Sequence, residues 1–567
     1  MKWKMAEEPD VQSVKQMEKL LNVPRIIAKM LVRRGITTYE DARKFFKPQF
    51  EDFHDPYLMK DMKKAVERII QALKNREKIL IYGDYDVDGT TAVAILYSFL
   101  KQRHPYVEFY IPDRNTEGYG ISRKGIQYAI DNNFSLIVAL DCGIKEIEEI
   151  SFARDNGIDV IVGDHHTPGE ILPPAYAILN PKQKDCPYPY KELSGAGVAF
   201  KLIQALNEKE GNTIDKIIPY LDLLAVSIAA DIVPITGENR TFMYFGLQQL
   251  NVSPRPGLKV LMKSIKKTEK EVSDIVFTLA PRINSAGRMT HGKLAVKLLI
   301  EPNEEKAEEI GSMIEENNRI RRETDKAMTD EALDLILEHI DPESYTTVVY
   351  NKNWHKGVVG IVASRLIEKY YRPTIVLTWS EQAQMWVGSA RSVKDFDLYG
   401  ALNAISDKLE AFGGHKYAAG LSVKDENLKD FIRAFERKVR EMMPEGPKEP
   451  EIEVEEELDL IDITPKFYRL IKRFAPFGPG NMKPVFMTRA LRDTGFGKTV
   501  GEDNRHLKMY VIDGTTRSGI NSIAFGLGDK WEQIKASPSF AAVYHIEENH
   551  WNNHVSLQLK IKDIKPE

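Results

Sequence analysis

The strongest constraint on this chain is a set of short apolar runs, each followed almost at once by an acidic residue. Lys78–Tyr82 runs into Gly83-Asp84-Tyr85-Asp86-Val87-Asp88-Gly89, Leu136–Leu140 into Asp141, and Asp159–Val162 into Gly163-Asp164-His165-His166. Val107–Ile111 is a further run, and helix-like stretches such as Thr91–Lys101 and Ile144–Asn156 lie between them. Runs of this length alternating with helical segments predict a mostly parallel α/β sheet. Sites in such sheets form at the carboxyl ends of the strands. Three strands are therefore expected to deliver acid to one edge.

The 567 residues allow three or four domains at about 150 residues each. Residues 1–75 read as helices, with Leu20, Leu21, Ile27, Met30 and Leu31 near helical spacing, and are expected to pack on the catalytic domain. Residues 76–300 form that α/β domain, and 301–340 a charged connecting helix with one apolar stripe. Residues 341–445 return to a smaller α/β domain, with strands expected at Thr346–Tyr350, Pro373–Trp379 and Gln384–Val387. A proline-rich linker, Met442-Met-Pro-Glu-Gly-Pro-Lys-Glu-Pro450, leads to a β-rich 446–567. There Leu507–Val511, Ile520–Phe525, Phe540–Ile546 and the alternating His554–Lys562 suggest a small barrel. Val555, Leu557, Leu559 and Ile561 share one face of the last strand. Tail aromatics such as Phe525 and Trp551 are expected to pack in its core.

Composition sets outer limits. A net charge of −4 excludes a strongly basic chromatin-type protein but leaves room for a local basic groove. Two cysteines are too few for a disulfide scaffold or a thiolate cluster. The N-terminus has no apolar signal region, and no 18-residue apolar run occurs. A cytoplasmic protein with no membrane association is expected.

The acids carry the chemistry. Asp84, Asp86, Asp88 and Gly89 mimic an EF-hand loop, but Ile95 stands where a bidentate Glu is needed and a strand precedes the loop. Asp231, inside apolar Ile228–Pro234, adds a fourth point of negative charge. One Asp after a strand is commonly a helix cap. Several together with a histidine pair repel one another unless cations neutralise them. Carboxylate and imidazole ligands suit Mn²⁺, and Mg²⁺ takes His less readily. Two such ions are standard apparatus for phosphoester hydrolysis. No Walker loop or GxGxxG precedes a helix. Pro281–Met289, Gly388–Ser392 and Phe412–Gly420, the last expected to lead into a helix, combine glycines and cations as phosphate sites do.

Asp164-His165-His166, Asp86-x-Asp88, Asp141 and Asp231 resemble the motifs of the DHH phosphoesterase superfamily. The resemblance implies Asp86, Asp88, Asp141, His165 and Asp231 as ligands of two Mn²⁺ or Mg²⁺ ions, joined by Asp84. It implies His166 at the scissile phosphate or beside the metal, with Asp164 orienting a histidine. Tyr82 stands where some members have histidine, which points away from the pyrophosphatase branch. Trp354–Arg365, Ser389–Ser392 and Gly413-Gly414-His415 resemble the DHHA1-type substrate-binding domain, and Pro476–Asn481 onward an OB-fold barrel. The motif order resembles a bacterial family of single-stranded-DNA-specific exonucleases that work 5′ to 3′ in recombination and repair. That family implies Arg114, Ser389 and Arg391 at the 5′-phosphate. Asn284, Arg288 and His355 then line the strand's path, and Gly414 and His415 of the substrate-binding domain are further nucleic-acid- or phosphate-binding residues. Single-strand-binding protein and a RecQ-type helicase are implied partners, and a monomer is expected. The superfamily also contains nanoRNases and cyclic-dinucleotide phosphodiesterases, which lack the barrel, and replication scaffolds that have lost acidic ligands.

Overall fold

The computed structural model describes residues 1–516, 518–550 and 554–567, and the main chain of Trp551. The chain divides into two units. One comprises His54–Val233 and Phe245–Glu449, the other Met1–Phe53, Pro234–Tyr244 and Pro450–Glu567.

The first unit begins with a five-stranded, all-parallel sheet. Its order is Val107–Tyr110, Ile79–Gly83, Leu136–Leu140, Asp159–Gly163, Ala177–Leu179. Leu136–Leu140 and Ile79–Gly83 are buried along their whole length, which is why they read as continuous apolar runs. The Ala177–Leu179 strand is an addition to the expected set. Ile79–Gly83 pairs with the next strand in sequence on one side and with the one after on the other. The connections therefore diverge, opening a crevice at the carboxyl ends of Ile79–Gly83 and Leu136–Leu140. The helix Val87–Lys101 starts directly over that edge. A Cβ on Gly89 would lie 2.5 Å from the Asp84 carbonyl oxygen, so only glycine permits the approach.

The connecting helix spans Glu304–His339, close to the expected 301–340, with Asn303 accepting from the Lys306 amide at its start. Ala307, Ile314, Met328, Ala332 and Ile336 form its buried stripe. The smaller α/β domain has five strands ordered Ala411–His415, Ala418–Val423, Met385–Arg391, Thr374–Ser380, Thr347–Tyr350. Phe412–Gly420, expected to lead into a helix, instead forms a hairpin, His415 pairing with Ala418. Small residues carry little periodicity, so the cross-strand ladder decides the conformation.

The second unit holds the barrel. Phe486–Asp493, His506–Ile512, Ile520–Ala524, His554–Pro566 and Phe540–Trp551 follow one another, and Phe486–Asp493 pairs at both ends of the series. Ile520–Ala524 pairs parallel with His554–Pro566. Leu507, Met509, Val511, Ala524, Leu559 and Ile561 fill the interior. Val555 is 58% exposed, because its strand runs on into a hairpin past the interior positions. Within residues 1–75, His54–Asn75 groups with the parallel sheet, whereas Met1–Phe53 groups with the barrel. Val14, Met17, Ile27, Met30, Leu31 and Ala42 share one core with the barrel. Helical periodicity shows that a face is buried, not what covers it.

Arg240 is buried in this unit, its guanidinium 3.6 Å over the Phe45 ring and its donors turned to carbonyls. It donates to Phe45 O (3.0 and 3.1 Å), Phe474 O (3.0 Å), Ala475 O (2.9 Å) and Pro476 O (3.2 Å). Asn481 also serves Phe474 O and Pro476 O, so Arg240→Met would orphan the carbonyls of Phe45 and Ala475. A loss of about 2–4 kcal/mol in denaturant unfolding is expected. His545, whose Nδ1 meets Pro484 O at 2.8 Å, is held near pKa 4 by burial and by Lys483 and Lys562. The folded chain binds this proton later than the unfolded one. Stability should therefore fall as pH drops from about 6.5 to 4, by about 1–2 kcal/mol after discounting for a partly exposed ring. Denaturation of His545→Gln should show a flatter slope over that window.

Candidate active site

The parallel register builds the site. Gly83 lies level with Leu140, and Leu140 with Gly163, so the next residues, Asp84, Asp141 and Asp164, emerge side by side. Asp84 is buried, and neither carboxylate oxygen meets a donor in hydrogen-bonding geometry. Asp86 caps the helix that follows, accepting from the Gly89 amide at 3.0 Å. Asp88, within that helix, accepts from the Gly195 and Ala196 amides (2.6 and 2.8 Å) and the Ser227 hydroxyl (2.7 Å). Those amides begin the helix Gly195–Lys209, whose positive end suits a carboxylate. Asp231 sits at the opposite kind of end, closing the helix Leu221–Ala230, where negative charge is unfavourable.

His165 is the meeting point. Its Nε2 lies 3.2 Å from Asp141 Oδ1 and 3.6 Å from both Asp88 Oδ2 and Asp231 Oδ2. Burial, then neighbouring carboxylates, push Asp84, Asp141 and Asp231 well above the carboxylate range, and Asp86 also upward. Asp141 Oδ1 and His165 Nδ1 are buried without hydrogen-bond partners. Hard donors around one divalent ion, each about 2.1 Å away, stand about 3.0–3.4 Å apart. The observed spacing and the unpartnered acceptors fit a divalent cation. The structure gathers Asp88, His165 and Asp231 into one ligand-like group and Asp141, His165 and His166 into another. Asp84 and Asp86 stand outside those two groups, although Asp86 lies within electrostatic reach of Asp88 and His166.

Asp164 orients His166. Its Oδ1 accepts from His166 Nδ1 (2.7 Å) and from the His165 and His166 amides (2.7 and 3.0 Å), and its Oδ2 from the Ile144 amide. Burial opposes ionisation, but these donors and the imidazole charge hold it at about 2. With Nδ1 engaged, His166 turns Nε2 to the site.

A second, cationic group lies beyond Tyr85. The Arg114 guanidinium stands 5.0 Å over the Tyr85 ring. Burial, then the charges of Arg114, Arg391 and Arg321, lower Arg288 to about 9; burial and Arg114 lower Arg391 and His355. Arg391 donates to Ser389 Oγ at 2.6 Å, and Arg288 to Gly357 O at 3.0 Å. Asn284 lies one turn before Arg288 on the helix Ala280–Met289. Like charges held this close suit a polyanion. Gly414, at φ +148°, lies within the hairpin strand just before His415, whose ring lies 6.4 Å from His166 and nearly parallel to it. The structure therefore splits the expected nucleic-acid residues. Arg114, Arg288, His355 and Arg391 interact as one electrostatic group with Ser389, while Gly414 and His415 face the histidine pair. Sequence reasoning placed Tyr119 within the Gly118-Tyr119-Gly120 motif of the resembled family without giving it a role, and it missed Tyr85 and the Gly195–Ala196 amides. The two flanking glycines were the available signal for Tyr119.

On the barrel, Lys498, Lys508, Ile523 and Lys560 pair in a row across four strands. Phe525, expected in the core, is 57% exposed, with His506 edge-on at 5.1 Å and Lys560 Nζ 5.9 Å from its ring. It lies one residue past its strand, where alternation no longer points inward. The Trp551 side chain lies outside the described residues.

Comparison with known proteins gives a consistent answer. The DHH family, N-terminal domain, matches residues 78–228, the DHHA1 domain 343–441, and the RecJ OB domain 454–563. The single-stranded-DNA-specific exonuclease RecJ of Bacillus subtilis is 38% identical over 569 residues, 99% of this chain and 70% of that protein. The chain belongs to the RecJ family. RecJ from Thermus thermophilus in complex with Mn²⁺ has a TM-score of 0.83 at 28% identity, covering 100% of this chain and 80% of that one. The same protein with Mg²⁺ gives a TM-score of 0.79 at 26% identity, covering 100% and 79%. The expected α/β architecture with DHH, DHHA1-type and OB-fold parts is thus the architecture of RecJ.

Asp141→Asn removes a buried, unneutralised charge from the ion-free protein. Its ion-free stability should rise by about 1–3 kcal/mol, while the thermal shift produced by Mn²⁺ in the parent should vanish. Melting curves with and without Mn²⁺ check both arms.

Proposed function

We propose that this chain is a metal-dependent exonuclease that degrades single-stranded DNA from the 5′ end to mononucleotides, acting in recombination and repair. The observation that carries the reading is the pairing of an acid–imidazole cluster with an arginine cluster on either side of Tyr85. Asp88, Asp141, His165 and Asp231, with Asp84 and Asp86 beside them, would hold two Mn²⁺ or Mg²⁺ ions. Such ions, when bound, supply a nucleophile at neutral pH and stabilise charge on the phosphoryl and leaving oxygens. Arg114, Ser389 and Arg391 grip the terminal phosphate, which makes the neighbouring phosphodiester the scissile one. Asn284, Arg288 and His355 hold the following strand. His166, oriented by Asp164, places Nε2 at the scissile phosphate, with His415 facing it. The Lys498–Lys508–Lys560 row and Phe525 offer charge and a stacking surface for strand further along.

No described helix is long and apolar enough to cross a membrane. A cytoplasmic monomer working with single-strand-binding protein and a RecQ-type helicase completes the reading.

The test incubates 5′-labelled single-stranded DNA, matched duplex, short RNA and cyclic di-AMP with Mn²⁺. Mononucleotides from the 5′ end of single-stranded DNA, with duplex resistant, are expected. Hydrolysis of cyclic di-AMP with long single-stranded DNA untouched would overturn the reading. Asp86→Ala should abolish cleavage while leaving circular dichroism unchanged. Arg391→Ala should cost about 10-fold or more on 5′-phosphorylated ends and much less on 5′-hydroxyl ends.

A further inference from the structure

Tyr119 lies on the loop between Val107–Tyr110 and the helix Arg123–Asp131, between two glycines in the left-handed region, Gly118 (φ +87°) and Gly120 (φ +84°). The left-handed φ favours glycine at position 120, and a Cβ there would also displace the end of the Glu146 side chain, whose Oε1 it would meet at 2.3 Å. The turn sends the Tyr119 hydroxyl to the main chain of Asp141, where it donates to the carbonyl oxygen at 3.0 Å. Asp141 itself has φ +59°, a conformation uncommon outside glycine that needs support from its surroundings. Its amide is tied to Gly163 O at 2.9 Å, and the Tyr119 hydroxyl ties the other end of the residue.

The same hydroxyl stands 3.4 Å from His166 Nε2, and the ring meets His166 edge-on at 5.9 Å. His166 is thus held by Asp164 at Nδ1 and approached by Tyr119 at Nε2. Desolvation, then the charges of Asp141, Asp84, Asp86 and Asp164, keep the phenol protonated and able to donate. Its ring remains 49% exposed and stands edge-on to Tyr85 at 6.3 Å, the ring beneath Arg114. Arg114 is five residues back on the same loop.

We propose that Tyr119 is a positioning residue that holds the Asp141 peptide and the His166 ring in register, linking the Arg114 phosphate loop to the metal ligands. The proposal rests on the exonuclease reading for the substrate, but its first consequence concerns metal affinity alone. Partners one shell out from metal ligands are worth about 10–100-fold in affinity or activity.

The test uses the full chain with Tyr119→Phe, which keeps the ring, and Gly120→Ala, which moves the loop and keeps the hydroxyl. Mn²⁺ binding is followed by the electron paramagnetic resonance of free Mn²⁺. Cleavage of 5′-phosphorylated single-stranded DNA is then measured at saturating Mn²⁺. Tyr119→Phe is expected to weaken Mn²⁺ binding by about 10-fold and to lower kcat by about 10-fold or more, with KM within twofold. Gly120→Ala is expected to show the same metal defect. Parental Mn²⁺ affinity and kcat in Tyr119→Phe would overturn the proposal. So would a rise in KM with kcat and metal affinity unchanged, which would make Tyr119 a substrate contact only. If the parent binds Mn²⁺ yet cleaves no DNA, the exonuclease reading fails, and Mn²⁺ affinity alone still decides the role of Tyr119.

Discussion

Three carboxylates emerge side by side from a parallel sheet because the strands Ile79–Gly83, Leu136–Leu140 and Asp159–Gly163 end in register. Everything else in the first unit answers the resulting crowding of charge. Asp88 is steadied by the amides that open the helix Gly195–Lys209, and Asp164 by four donors. Asp84, Asp141 and Asp231 receive no comparable compensation and are pushed toward protonation. The division is chemically sensible. Asp164 holds protein groups in place, Asp88 is oriented toward His165 and Asp231 by the donors it accepts from, and the unsatisfied acids remain open to a cation.

The same division explains which parts of the site were legible in sequence. An acid just after an apolar run announces itself by residue type and position, and Asp84, Asp141 and Asp164 needed nothing more. Asp231 was visible as a charge in an apolar stretch. The backbone donors at Gly195 and Ala196 were not, since a main-chain amide has no sequence signature and lies over a hundred residues from Asp88. The Gly118-Tyr119-Gly120 motif was visible, but what Tyr119 touches was not, since its closest partner is the carbonyl of Asp141.

The fold follows a similar rule. Strand candidates and a small barrel were within reach of period and length, whereas the OB type came from family resemblance and the strand order was not legible. The partner of the N-terminal helices was not. Met17, Met30 and Leu31 find their apolar cover on barrel residues more than four hundred positions away. Amphipathic pattern is indifferent to which surface satisfies it. Phe412–His415 was misread because Gly413 and Gly414 weaken every local preference, leaving pairing with Ala418–Leu421 to decide.

A net charge of −4 gives no hint that the site carries two opposed fields. They meet at Tyr85, whose phenol is pushed up to about 12 by burial and Asp84, against the pull of Arg114 and Arg288. On one side carboxylates repel one another, and on the other Arg114, Arg288 and Arg391 do the same. Each cluster is unfavourable by itself, and Arg114 offsets only part of the burden on Asp84 and Asp86, both of which remain pushed upward. A divalent cation relieves the first and a phosphate the second. A nucleic-acid end bound with metal is therefore the state in which both strains disappear together, and the folded chain carries the cost of keeping them apart until then.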